Sequence, residues 1–173
     1  MRRTAVICSL LVSFTASAAD EARVSVDDQG RVVARIAVAA SADEVKAVLA
    51  DPKGTLAALS PETLSVQTTT EGRCEMVDRK TRGVWRPFAF RAKRCPTAHG
   101  WTGTLVASDD FTAYAAEWEV EDSDDGTTEV VYTIQTEINA PVPRALVRTN
   151  LKTAAGDMLK RLAGLFRRGS ARH

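Results

Sequence analysis

Few side chains in this sequence are equipped for chemistry, and their spacing narrows the choice further. The chain contains two histidines and three cysteines. His99 stands beside Gly100 in a turn-like stretch and His173 is the last residue. A Ser-His-Asp or Cys-His nucleophile would therefore depend on His99, with no flanking motif in support. Glu117, Glu119 and Glu121 recur at every second position, and Glu129 and Glu137 follow on the next segment. Paired acids can act as acid and base, yet these alternate with Trp118 and Val120, the pattern of a strand face turned to water. Phe88, Phe90, Trp118 and Tyr132 fall on the other, inward phase of their segments, where core packing accounts for any one of them. Cys74 and Cys95 lack CxxC spacing and a neighbouring histidine pair, so no metal site is expected, and nothing calls for a cofactor.

Composition sets the broad limits. The 173 residues suit one globular domain, and a 45% hydrophobic content is too high for a disordered chain. No apolar run reaches the ~18 to 20 residues of a membrane-spanning helix. Twenty-three basic and twenty-two acidic side chains leave a formal charge of +1, which gives no overall field to gather nucleic acid.

The first residues read as an address. Arg2 and Arg3 precede a short apolar stretch from Ala5 to Phe14, and small residues follow up to Ala19. A basic start, an apolar middle and an Ala-x-Ala end make a secretory signal peptide over residues 1–18, cleaved after Ala18. The mature protein is then periplasmic or secreted, and Cys8 leaves with the peptide. Cys74 and Cys95 remain as an even pair in an oxidising compartment, so a disulfide is expected; two buried thiols are the competing reading.

Residues 19–168 are expected to form the folded domain and 169–173 a frayed tail. Arg23 to Ala39 alternates on both sides of Asp27-Asp28-Gln29-Gly30, as a hairpin or a long strand with a break. Two short helices follow. Ser41 caps the first with Glu44 as its capping-box partner, Val45, Val48 and Leu49 form its apolar face, and Asp51-Pro52 ends it. The second is expected from Gly54 to Leu59. Period-2 patterning then predicts strands near Leu64–Thr70, Arg73–Lys80, Val84–Arg94, Trp101–Ala107, Thr112–Glu121 and Thr128–Ile138. The links are short, so the strands form an antiparallel meander. From Val142 to about Arg167, Val147, Leu151, Ala154, Met158, Leu162 and Leu165 make one apolar helical stripe. The basic residues Lys160, Arg161, Arg167, Arg168 and Arg172 complement the helix C-terminus. A sheet with one greasy face must be covered, and only this helix is long enough to do it.

This order of elements resembles the START-like superfamily with its polyketide cyclase and coenzyme Q-binding relatives, also called SRPBCC. The resemblance rests on Ile36 to Pro52 (IAVAASADEVKAVLADP) and on Trp118 to Leu162. The second stretch holds Trp118-Glu119-Val120, a turn at Asp125 to Thr128, the Tyr132 strand, Pro141-x-Pro143 and L-V-x-x-N-L at Leu146 to Leu151. Arg86 to Arg91 (RPFAFR) resembles the aromatic-basic strand of lipid-binding members. The resemblance implies an α+β helix-grip fold, a curved antiparallel sheet wrapped around the long C-terminal helix. It also implies an internal cavity for a hydrophobic small molecule such as a lipid, sterol, isoprenoid or quinone. Phe88, Phe90, Trp118, Tyr132, Ile134, Leu151 and Met158 would line it. Tyr132 would offer a hydroxyl to the guest, and Arg86 or Arg91 a charge at the mouth. Small residues, Ala113, Ala115 and Ala116 on one strand and Ala154, Ala155 and Gly156 on the helix, suggest room. The basic cluster of the helix offers a transient membrane contact. A polyketide aromatase/cyclase is the alternative, and a solidly packed interaction domain a third; polyketide intermediates ride on cytoplasmic carriers, so export favours binding.

Overall fold

The computed structural model describes residues 21–83 and 86–170. Expectations about the signal peptide and Ala171–His173 lie outside them. The break in the first segment is a true hairpin: β1 (Arg23–Val26) and β2 (Val32–Val38) pair antiparallel around the turn. Gly30 adopts φ +80° there, a backbone region that suits glycine.

Helix α1 (Ala42–Ala50) begins as its sequence dictates. The Ser41 hydroxyl accepts the Glu44 N–H at 3.4 Å, and the Glu44 carboxylate accepts the Ser41 N–H at 2.9 Å. These bonds from Ser41 hold the Glu44 carboxyl below its ordinary range. Val45 and Leu49 are buried and Val48 is half-buried. Asp51 ends α1 and caps α2 (Pro52–Leu59), accepting the Lys53 N–H at 3.0 Å. Helix α2 therefore starts at Pro52, two residues before the expected Gly54, because proline at the first helical position has no N–H to leave unpaired.

Six strands follow in sequence: β3 (Thr63–Glu71), β4 (Cys74–Thr81), β5 (Phe88–Pro96), β6 (Gly100–Ala107), β7 (Phe111–Asp122) and β8 (Thr128–Ile138). All eight strands form one antiparallel sheet in the order β1-β2-β8-β7-β6-β5-β4-β3. Strand β5 starts at Phe88, and Val84, where its start was expected, lies outside the described residues. Pro87 cannot donate to a ladder, so Arg86 and Pro87 stay outside it. Gly100 is required where it stands, since a Cβ would lie 2.0 Å from the Trp118 carbonyl oxygen on β7. Cys74 and Cys95 form a disulfide that ties β4 to β5.

The long helix α3 (Arg144–Ser170) crosses the concave face. Gly169 and Ser170, expected in the tail, belong to its last turn. The two halves of α3 differ. Ala155, Leu159, Leu162 and Ala163 are buried against Val32, Ala34, Ile36 and Val38 of β2 and against Val120 and Val130. Each fully buried leucine there contributes about 1.5–3 kcal/mol. Upstream, Leu146, Asn150 and Ala154 are exposed, and Val147 and Leu151 only half-buried. The buried stripe thus runs through Ala155 and Leu159, not through the expected Ala154. The C-terminal half of α3 seals a packed core and the N-terminal half roofs a space.

Thr128, fully buried, locks the sheet to α1. Its hydroxyl lies 2.6 Å from the Ala40 carbonyl oxygen, to which it donates, and 3.2 Å from Asp122 Oδ1. Asp122 Oδ1 in turn accepts the Ala42 N–H at 2.9 Å.

Candidate ligand cavity

Alternation along curved strands decides which side chains face α3. On β5 the inward phase is Phe88, Phe90, Ala92 and Arg94; on β7 it is Tyr114, Ala116, Trp118 and Val120; on β8 it includes Tyr132 and Ile134. Phe88, Phe90, Tyr114, Tyr132, Ile134 and the upstream half of α3 line a cavity of about 750 Å³, within the ~300–1,000 Å³ usual for ligand sites. Phe88, Phe90, Tyr132, Ile134, Leu151 and Met158 line it, as does Leu146 near its opening. Its inner end adjoins a smaller void of about 80 Å³ reaching toward α1 and α2. Arg79, Phe90, Tyr114, Tyr132 and Met158 border both.

Trp118 is the one expected lining residue placed elsewhere. It borders the small void and lies against Tyr132, ring centroids 4.4 Å apart, so it supports the cavity wall from behind. The other aromatics form a continuous wall: Phe88 meets Phe111 at 5.6 Å, Phe111 meets Phe90 at 5.3 Å, and Phe90 meets Tyr114 at 4.9 Å. Such tilted and edge-on pairs each contribute about 0.5–1.5 kcal/mol beyond their buried area.

The expected small-residue space is only partly correct. Ala116, Ala154 and Ala155 border the two spaces, whereas Ala113 and Ala115 sit on the opposite phase of β7 from Trp118 and face outward. Gly156 serves packing, since a Cβ there would come within 3.1 Å of Val24. Glu117, Glu119 and Glu121 also take the outward phase, and Glu121 meets His99 Nδ1 at 3.2 Å, both largely exposed. Arg91 is on the convex side, joined to Asp78 at 2.8 Å, and so is not at the mouth. Arg86 is, and it pairs with the buried Asp110, which also accepts the Ala89 N–H at 2.9 Å.

Polar groups gather at the inner end. The Tyr132 hydroxyl bonds to that of Tyr114. Burial raises both phenols above the ordinary tyrosine range, Tyr132 well above it, and the nearby Arg79 guanidinium partly opposes the shift. Both stay protonated at neutral pH. Arg79 projects from β4 opposite Phe90. Neither Tyr114 nor Arg79 was a sequence candidate. Tyr114 shares the parity of Trp118 and was readable from it, but an arginine amid Asp78 and Lys80 carries the signature of an outer face. Arg94 closes the far side against Glu75 at 2.9 Å and under Trp101. Its burial lowers its pKa, with Glu75 opposing. Among the described residues no three His, Cys, Asp or Glu side chains stand together as metal ligands.

Residues 29–167 match the family model described as polyketide cyclase/dehydrase and lipid transport. The chain belongs to this family. Its members lie within the START/SRPBCC superfamily, and similar solved structures share the helix-grip architecture. A protein from Thermus thermophilus has a TM-score of 0.71 and 19% identity, over 81% of this chain and 99% of its own. A START superfamily protein from Mycobacterium smegmatis also has a TM-score of 0.71, with 18% identity over 80% of this chain and 97% of its own. The Zhui aromatase/cyclase from Streptomyces sp. R1128 has a TM-score of 0.69 and 20% identity, over 80% and 93%. At these identities the fold is what is shared. No curated protein matches the chain.

Proposed function

We propose that the chain is an exported binding protein that carries or sequesters one hydrophobic small molecule, a lipid, sterol, isoprenoid or quinone, without altering it. The supporting observation is the division of α3: a packed C-terminal half and a raised N-terminal half over an apolar space of about 750 Å³. A space of that size with aromatic and aliphatic walls is costly to hydrate and gains on accepting a guest, about 25 cal/mol per Å² of apolar surface removed from water. Export rests on the N-terminal sequence pattern, and the disulfide fits an oxidising compartment.

Loading at a bilayer surface is part of this reading. Leu146 is 46% exposed, and Arg82 and Arg86, which line the same cavity, are exposed as well. Arg82 and Arg86 beside the exposed Leu146 offer contact to anionic headgroups.

An aromatase/cyclase is the second reading, favoured by the paired Tyr114 and Tyr132 hydroxyls inside the cavity. Raised pKa values keep both phenols protonated, so they can donate a hydrogen bond to a carbonyl but are not bases at neutral pH. The cavity carboxylates, Glu62 and Asp110, are engaged by Ser60 and by Arg86 with the Ala89 N–H. Titration with the neutral fluorophore N-phenyl-1-naphthylamine separates binding from a packed domain. Saturable emission at one dye per chain, reversed by a long-chain lipid, is expected; no binding would refute the carrier. Turnover of a poly-β-carbonyl thioester would favour the cyclase.

A further inference from the structure

Charged side chains line the cavity at its mouth and at its inner end, and they are unevenly compensated. Arg94 is held by Glu75 and the Leu49 carbonyl, and Arg86 by Asp110. Arg79 is not matched in this way. Its side chain is only 15% exposed, and one terminal nitrogen donates to Ser60 Oγ at 2.6 Å and Thr63 Oγ1 at 3.0 Å, both neutral. The nearest acid, Glu62, is 4.0 Å away, 42% exposed, and its Oε1 already accepts the Ser60 hydroxyl. The Arg79 Nε–H is buried with no acceptor. Arg79 lines the cavity, and it has no counter-charge closer than Glu62 until a guest supplies one. Beside it, the Tyr114 and Tyr132 phenols line the same end of the cavity and bring hydroxyls within reach of a guest.

We propose that this inner end is a head-group subsite for an anionic oxygen, and that the guest is a carboxylate amphiphile. Its head would sit at Arg79 and Tyr114, and its chain would run along Phe88, Ile134 and Leu151 toward Leu146. The assignment rests on the carrier reading above. A single guanidinium charge beside the Tyr114 phenol suits a monoanion; a phosphate dianion would carry a second charge to be matched and would face Glu62.

The test compares dodecanoate with dodecanol, which share a chain and differ in the head, as competitors of N-phenyl-1-naphthylamine on the disulfide-bonded protein. Charge-assisted bonds in a dry site give dodecanoate a preference of about tenfold or more. Arg79→Met removes that preference by weakening dodecanoate, whereas Lys152→Gln, an equal change of charge on the outer face of α3, keeps it. Tyr114→Phe reduces the preference severalfold and decides the matter if Arg79→Met fails to fold. Equal displacement by the two competitors in the unaltered protein, or a preference that survives Arg79→Met, overturns the subsite and leaves the carrier reading standing. Failure of the dye itself to bind overturns both.

Discussion

Replacing Met158 with tryptophan distinguishes a vacant space from a packed one, because the two predict opposite signs. Met158 is 9% exposed and borders both the large cavity and the small void behind it. In a filled core an added ring forces neighbours aside and costs about 1–3 kcal/mol. Here the ring has space in front of it. An additional apolar area on the order of 50 Å² removed from water contributes about 1 kcal/mol. For a domain of this size that corresponds to a melting temperature unchanged or raised by roughly 2–4 °C. The same ring occupies the place of a guest, so uptake of N-phenyl-1-naphthylamine should fall by at least tenfold. The assay is thermal unfolding followed by circular dichroism, paired with dye titration on the same sample. A fall in melting temperature of more than about 5 °C would mean the region is already filled. Unchanged uptake in a well-folded variant would mean that α3 does not line the site.

Three further outcomes follow from the same geometry. Replacing Cys74 and Cys95 by serine opens a crosslink across a sequence separation of 21 residues, and should lower stability by about 3 kcal/mol in denaturant titrations. The chain has two tyrosines, Tyr114 and Tyr132, so all phenolate absorbance reports on the cavity. Burial raises both folded pKa values, Arg79 and Arg94 only partly opposing at Tyr114. Folding stability tied to these phenols is therefore complete below the unfolded value of about 10 and declines as pH rises above it toward the folded values. Absorbance near 295 nm should stay low in the native protein past that pH and rise only with unfolding; early, reversible ionisation of two phenols in folded protein would contradict it. Thr128→Val removes the buried hydroxyl that joins Ala40 and Asp122, and should cost about 1–3 kcal/mol in the same denaturant titrations.

The order of elements and most of the site were legible because they follow local rules. Period-2 alternation sets Thr128–Ile138 as a strand, and Ser41 with Glu44 starts α1 through bonds that span three residues. The same alternation places Phe88, Phe90, Tyr132 and Ile134 on the inner face. It also turns Ala113 and Ala115 away from the cavity, since they have the opposite parity to Trp118, and brings Tyr114, of like parity, into it. Other features depend on partners distant in sequence. The pairing of β2 with β8 joins the two ends of the domain, and no short-range pattern encodes it. Arg79 points inward because Ser60 and Thr63, at the junction of α2 and β3, supply acceptors for it. The space lies under the N-terminal half of α3, whose Val147 and Leu151 line it while Ala155 and Leu159 beyond are buried in the core. The amphipathic stripe of the helix continues through both halves and does not mark the change.

Native mass spectrometry on gently purified protein, incubated with a total lipid extract, tests the vacant interior most directly. A single added mass of a few hundred daltons per chain, released into organic solvent and lost in Met158→Trp, is the expected result. A spectrum holding only the bare polypeptide after that incubation would contradict the claim that this family member holds a hydrophobic guest.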